Sequence, residues 1–276
     1  MRSIEFAKGH GTRNDFVLFV DRDRLIELTD EQVAALCDRR AGIGADGILR
    51  AVDASLMPGV EASPGTWFMD YRNADGSIAE MCGNGLRVFL RYLAQEGLVD
   101  SFGPVTVLTR AGARTGRFLD DGRVAVTMGP ARVGAQVRID VGERHWPATV
   151  VDVGNPHAVV QLGDADLLDA LDLTLSPVWT PASAFPAGVN VEFVVADGPG
   201  RIRMRVHERG SGETQSCGTG VVAAAAVAAP AGRCEVVVPG GELDVDLTGE
   251  EAILRGPAEI VARGRYYFPT ASEETA

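Results

Sequence analysis

The sequence has little of what many binding and redox chemistries require. Basic residues are outnumbered, 26 Lys and Arg against 38 Asp and Glu, for a formal net charge of -12. Nucleic-acid binding leaves a basic footprint, so no nucleic-acid partner is expected. The acidity itself reads as solubility. The four histidines, His10, His145, His157 and His207, are scattered without ligand spacing, and H-E-x-x-H is missing, so no metal is expected. Cysteine is equally sparse: Cys37, Cys82, Cys217 and Cys234 match no zinc pattern. The longest apolar run, residues 221–231, falls short of the roughly 20 residues that span a bilayer. Residues 1–8 lack the apolar core of a secretory signal. These absences point to a cytoplasmic protein with reduced thiols and no membrane partner. No phosphate loop of the G-x-x-x-x-G-K-[ST] type occurs. Residues 42–47 spell G-x-G-x-x-G, but they follow a helical stretch rather than a strand, so they read as a glycine-rich turn.

What is present is an ordinary packed core. A chain of 276 residues with 46% hydrophobic composition supports one large domain or two modest ones; only the tail after Phe268 suggests disorder. Strand-like runs dominate, at 16–20, 66–71, 105–109, 124–128, 150–153, 158–162, 189–195 and 202–207, with β-branched residues bordered by Gly, Pro and Asp. Helices are fewer. Residues 29–40 form one, with Thr29 and Gln32 spaced as a capping box, and 164–171 form a shorter candidate.

Two further helices follow a repeated pattern. Met81-Cys82-Gly83-Asn84-Gly85 and Ser216-Cys217-Gly218-Thr219-Gly220 each open an apolar stretch, so each thiol falls at a helix start. There, unpaired N–H groups and the macrodipole favour a thiolate and can hold an anion. Glycine after the thiol leaves the backbone N–H open to a close-packed ligand. The repeat extends upstream, where Asn73 and Glu208 stand at the same offset before their cysteines within glycine-bearing polar loops. Residues 221–231 carry no charge, so that helix has no face fit for water and must be buried on all sides. The pattern predicts an α/β fold of two pseudo-symmetric halves. Each is a curled, mostly antiparallel or mixed sheet around a central helix, with the active site in the cleft between. The halves are placed at 1–128, with a return of 263–276, and at 129–262. Asn14 and Asn190 read as turn residues when taken singly. The turn Gly154-Asn155-Pro156-His157 reads equally as a turn or as a site. Cys37 and Cys234 read as core cysteines.

Taken together, these segments resemble a known family. Residues 11–17, 42–47, 73–77, 82–85, 154–157, 185–190 and 208–220 look like the ordered motifs of the diaminopimelate epimerases. The resemblance implies a cofactor-independent isomerase that interconverts LL- and meso-2,6-diaminopimelate, in lysine and peptidoglycan precursor biosynthesis, usually as a homodimer. It makes Cys82 and Cys217 the acid/base pair, supported by His157 and Glu208. It places Asn14, Asn73, Asn155, Asn190, Glu208 and Arg209 on the substrate, with Gly83, Asn84, Gly218 and Thr219. The chain departs from the pattern at Gly47, where some members carry Gln, at Arg13, and at Ser183-Ala184.

Inverting an α-carbon needs groups of opposite protonation state on its two faces. A free thiol near pKa 8.5, lowered toward neutrality at a helix start, is expected to suit this. A proline racemase type would use the same pair, but a monocarboxylate needs no distal clamp such as Arg209. A phenazine-biosynthesis-like isomerase does not rely on the cysteine pair. A silent amino-acid-binding protein would not need both thiols, and a thiol-disulfide switch would require a reversible Cys82–Cys217 bridge.

Overall fold

The computed structural model describes residues 3–268. The first elements are β1 (Ser3–Gly11), β2 (Asn14–Val20), α1 (Asp30–Cys37), β3 (Gly47–Asp53) and β4 (Trp67–Asn73). They lead into α2 (Gly83–Gln95), β5 (Val105–Thr109), β6 (Gly112–Phe118) and β7 (Val124–Gly129). Next come β8 (Arg132–Val141), β9 (Arg144–Asp152), β10 (Pro156–Gln161), α3 (Ala165–Asp169), β11 (Val178–Thr180), β12 (Asn190–Ala196) and β13 (Arg201–Glu208). The last are β14 (Gly212–Thr214), α4 (Gly218–Ala228), β15 (Arg233–Val238), β16 (Gly241–Asp246), β17 (Ala252–Gly256) and β18 (Glu259–Tyr267).

Strand pairing follows the same course twice. In the first half β18 lies antiparallel to β1 and β1 to β2, then β2 runs parallel to β3. β3 is antiparallel to β4, β4 parallel to β5, and β5, β6 and β7 alternate antiparallel. In the second half β8, β9 and β10 pair antiparallel, β10 runs parallel to β12, β12 antiparallel to β13, and β13 parallel to β15. β15, β16 and β17 complete it antiparallel. The equivalent strands β7 and β17 pair with each other, so both halves share one sheet. A parallel step requires a crossover. α1 and α3 supply the first crossover of each half, and α2 and α4 the second.

Local sequence explains the helices. α1 starts at the expected capping box: Gln32 N–H donates to Thr29 Oγ1 (3.2 Å) and Thr29 N–H to Gln32 Oε1 (3.1 Å). It ends at Cys37, short of residue 40, because the Asp38 carboxylate accepts the N–H groups of Arg40 (2.7 Å) and Ala41 (2.6 Å) and turns the chain. α4 is buried from Gly218 through Ala226, as its lack of charge requires. Four consecutive alanines let the surrounding strands close in on it, and the residues of α2 and α4 share one hydrophobic cluster. Cys37 and Cys234 are buried core residues.

The return to the first half begins earlier than residue 263. β18 starts at Glu259, paired with His10, while 269–276 and the tail after Phe268 lie outside the described residues. β8 and β18 escaped the sequence reading: β18 is largely exposed and rich in charged residues, without the alternation that marks a half-buried strand, whereas β8 is exposed over its first five residues and alternates only from Val137 to Val141.

Close packing of the alanine helix gives a test. Ala224→Leu adds volume at a site with no exposure and should lower stability by about 1–3 kcal/mol in urea denaturation. Val227→Leu, on the half-buried last turn, should cost under about 1.5 kcal/mol.

Candidate active site

Both thiols occupy N-cap positions, and the two helices they open meet head to head. A β-carbon on Gly218 would lie 3.0 Å from both Asn84 N and Gly83 Cα, so the first turns of α2 and α4 abut through bare backbone. Glycine at this position therefore serves helix-to-helix approach, a reason not visible in the sequence. The junction is tied by polar side chains. Buried Asn84 donates from Nδ2 to the Ser216 carbonyl and hydroxyl oxygens, both at 3.1 Å. The Ser216 hydroxyl lies 2.7 Å from Thr12 Oγ1. Thr12 and Arg13 form the β1–β2 turn with φ of 50° and 63°. Positive φ at a β-branched residue is strained, and here it carries Thr12 to the second half's cysteine loop. Arg13 thus has a turn role.

Around Cys82, the thiol donates to Asn14 Oδ1 (3.4 Å) and accepts from Gly85 N–H (3.4 Å). Asn14 is fixed in turn by donating from Nδ2 to Asp46 Oδ2 (2.8 Å).

Around Cys217 the setting is acidic. Its sulfur lies 3.5 Å from Thr219 Oγ1 and feels the nearby carboxyl of Glu208, which accepts from the Thr214 hydroxyl. Asn155 donates from Nδ2 to Thr219 Oγ1 (3.3 Å), and its Oδ1 meets His157 Nε2 at 2.9 Å. His157 Nδ1 lies 2.7 Å from Glu192 Oε1, with both side chains fully buried. His157 thus reaches Cys217 through Asn155 and Thr219. Glu192 escaped the sequence reading because it lies inside an apolar strand. The signal that could have exposed it is Gly220, where a β-carbon would fall 2.5 Å from Glu192 Oε1.

Enclosure governs the thiols more than the helix ends do. Burial pushes Cys82 up to about 11 despite the Gly85 and Asn84 N–H groups. Burial, then the carboxylates Glu208 and Glu192, push Cys217 well above the ordinary thiol value. The expectation of thiols lowered toward neutrality is therefore corrected: lost hydration outweighs a few N–H dipoles. Burial also raises Glu208. Arg87, buried in α2, is lowered to about 10 by burial; it donates to the neutral oxygens Asn84 Oδ1 (3.0 Å), Gly83 O and Pro257 O (3.3 Å each).

The remaining predicted residues lie at strand ends. Asn190 is buried, pairs with His157 across β10 and β12, and accepts the Arg209 N–H (2.9 Å). The Arg209 side chain is laid over Gly188 and donates to the Ala187 carbonyl (3.1 Å). Asn73 instead bonds within its own turn, donating to Ser77 Oγ (3.0 Å). A β-carbon at Gly47 would meet Arg72 O at 2.5 Å and the Tyr71 ring at 2.9 Å, which accounts for glycine there. Tyr71 is buried, feels both cysteines and Glu208, and went unremarked in the sequence.

Two measurements check this geometry. Gly218→Ala should destabilise by about 1–3 kcal/mol in urea, the helix–helix clash exceeding the roughly 1 kcal/mol gain in helix propensity; a stabilised variant would reject the abutment. Folding also holds the Cys82 proton more tightly than unfolding does. Its contribution is therefore full below the ordinary value of 9.0 and is lost as pH rises toward about 11. Across that window Cys82→Ala should lose stability less steeply than the parent chain, and identical slopes would count against a buried neutral thiol.

Comparison with known proteins follows the same line. The family model described as diaminopimelate epimerase matches residues 6–134 and 149–261. A diaminopimelate epimerase of Streptomyces coelicolor is 50% identical over 278 residues, covering 95% of both chains. Among solved structures, a Bacillus anthracis phenazine biosynthesis protein of the PhzF family superposes with a TM-score of 0.68 at 14% identity, covering 97% of this chain and 100% of that one. A hydroxyproline epimerase from Agrobacterium vitis gives 0.65 at 15%, covering 96% and 92%. Those structural likenesses carry the fold alone: two-half α/β. With half its residues shared along nearly its whole length, and a family model spanning most of it, the chain belongs to the diaminopimelate epimerase family.

Proposed function

We propose that the chain interconverts LL- and meso-2,6-diaminopimelate without a cofactor, through proton transfer by Cys82 and Cys217. The observation that carries this reading is the pair of thiols at the N-cap positions of two helices that abut at Gly218 and Gly83. Asn14 accepts the Cys82 hydrogen, and the Glu208 carboxyl lies close enough to Cys217 to act on its charge.

A substrate α-carboxylate placed at the junction would meet first-turn N–H groups of both helices, and these stabilise charge as it builds on the carboxylate in the transition state. The α-carbon would then lie between the sulfurs. One thiolate removes the α-proton while the opposite thiol delivers its own, inverting the centre and exchanging the roles of the two sulfurs. Cys217 reaches its thiolate by passing the S–H proton to Glu208. That transfer is helped because burial holds the Glu208 proton affinity up. Arg209 is the candidate clamp for the distal carboxylate, since a guanidinium can engage it bidentately. Asn73, Asn155 and Asn190 complete the binding set. The reading extends to a cytoplasmic homodimer serving lysine and peptidoglycan precursor synthesis.

Proton NMR of LL-diaminopimelate in deuterium oxide tests it. Meso product should appear with deuterium at the α-carbon, and Cys82→Ala and Cys217→Ala should each slow it by at least about a hundredfold. Turnover that survives either substitution would remove the two-thiol mechanism.

A further inference from the structure

The buried pair Glu192–His157 has no place in the proton transfers above, yet it ends a hydrogen-bonded chain that terminates on the Cys217 sulfur. The links are Glu192 Oε1 to His157 Nδ1 (2.7 Å), His157 Nε2 to Asn155 Oδ1 (2.9 Å), Asn155 Nδ2 to Thr219 Oγ1 (3.3 Å) and Thr219 Oγ1 to Cys217 Sγ (3.5 Å).

The direction of this chain is decided at its far end. Asn155 presents its oxygen to His157, so Nε2 must carry a hydrogen. Asn155 then donates to Thr219, and the Thr219 hydroxyl, already accepting, turns its own hydrogen to the sulfur. Were His157 protonated on Nδ1 alone, Asn155 would reverse, Thr219 would donate to Asn155, and Cys217 would lose its donor. Neutral imidazole can take either form.

Burial breaks that tie. Glu192 and His157 have no exposure, and Glu192 Oε2 is buried without a partner. A net negative charge there would be uncompensated and costly. The 2.7 Å contact accordingly keeps a hydrogen between Nδ1 and Oε1, and the 2.9 Å contact with an amide oxygen keeps one on Nε2. The titratable groups facing the pair are Glu208 from β13 and Cys217 from α4. Gly220 supplies the space that lets the carboxyl lie against α4.

We propose that Glu192 is a positioning residue for Cys217: by sharing a hydrogen with His157 it fixes every hydrogen bond in the chain to point toward the sulfur, giving the thiolate a donor that outweighs the repulsion of the Glu192 carboxyl itself. The inference deepens the two-thiol reading and rests on it for its catalytic meaning, though its test needs no substrate.

Glu192→Gln keeps the size and removes the shared proton, so both imidazole forms become available. Iodoacetamide labelling of each cysteine, followed by peptide mass spectrometry at mildly alkaline pH, should show Cys217 slowed about tenfold, one unit in thiolate fraction, with Cys82 unchanged. Faster Cys217 labelling, as loss of a nearby negative charge alone would give, overturns the proposal; so does an unchanged rate. A second measurement uses the unaltered protein. The ¹⁵N spectrum of His157, assigned by its loss in His157→Gln, should show Nε2 protonated, and an unprotonated Nε2 overturns the proposal. Expected labelling and spectra in a protein that fails to epimerise diaminopimelate would remove the proposed function and leave the positioning role standing.

Discussion

Two helix N-termini meet head to head at Gly218, and the rest of the molecule is arranged around that contact. Each end carries the positive pole of its dipole and several unpaired N–H groups, so bringing them together is electrostatically unfavourable. The Cys82 sulfur takes the Gly85 N–H, and the Asn84 side-chain amide ties the two ends together by donating to the Ser216 oxygens and to Asn14 Oδ1. The contact also dictates what surrounds it. Helices that meet at their tips must each be sheathed along their length, and each half supplies its own curled sheet for the purpose. The equivalent strands β7 and β17 join those sheets side by side, which places the helix ends between the halves.

Enclosing this junction sets the resting protonation. Anionic forms of its thiols and of Glu208 cost more here than in water, because burial penalises an unpaired negative charge. Arg87 is the counterweight, a buried cation whose hydrogen-bond partners are neutral oxygens. Two positive helix ends among groups whose anionic forms burial disfavours suit the site to receive an anion rather than to hold one beforehand.

Most of this was legible in the sequence. The repeated Cys-Gly pattern located both helix starts, and the charge-free stretch after Cys217 identified a helix with no solvent face. The α1 capping box could be read to the residue. What could not be read were properties of enclosure. A thiol at a helix start looks activated until its burial is known, and Glu192 looks like an ordinary strand residue until β12 is seen against α4. Asn84 reads as a ligand, and nothing in its sequence context shows that its side chain also ties the two halves together through Ser216. Edge strands such as β18 hide because arginine and glutamate on an exposed face carry no alternation.

The placement of β18 bears on how the chain is made. In the second half the strand beside β9 is β8, which precedes it in sequence; in the first half the corresponding neighbour of β1 is β18, close to the end of the described chain. During synthesis the second half can therefore assemble from consecutive segments, while β1 keeps an open edge until β18 has emerged. Such an edge invites wrong partners and delays cooperative closure. The pairing of Ser3 with Tyr267 is among the longest loop closures the fold contains. A nascent chain of this protein thus completes its later half first and seals its earlier half last.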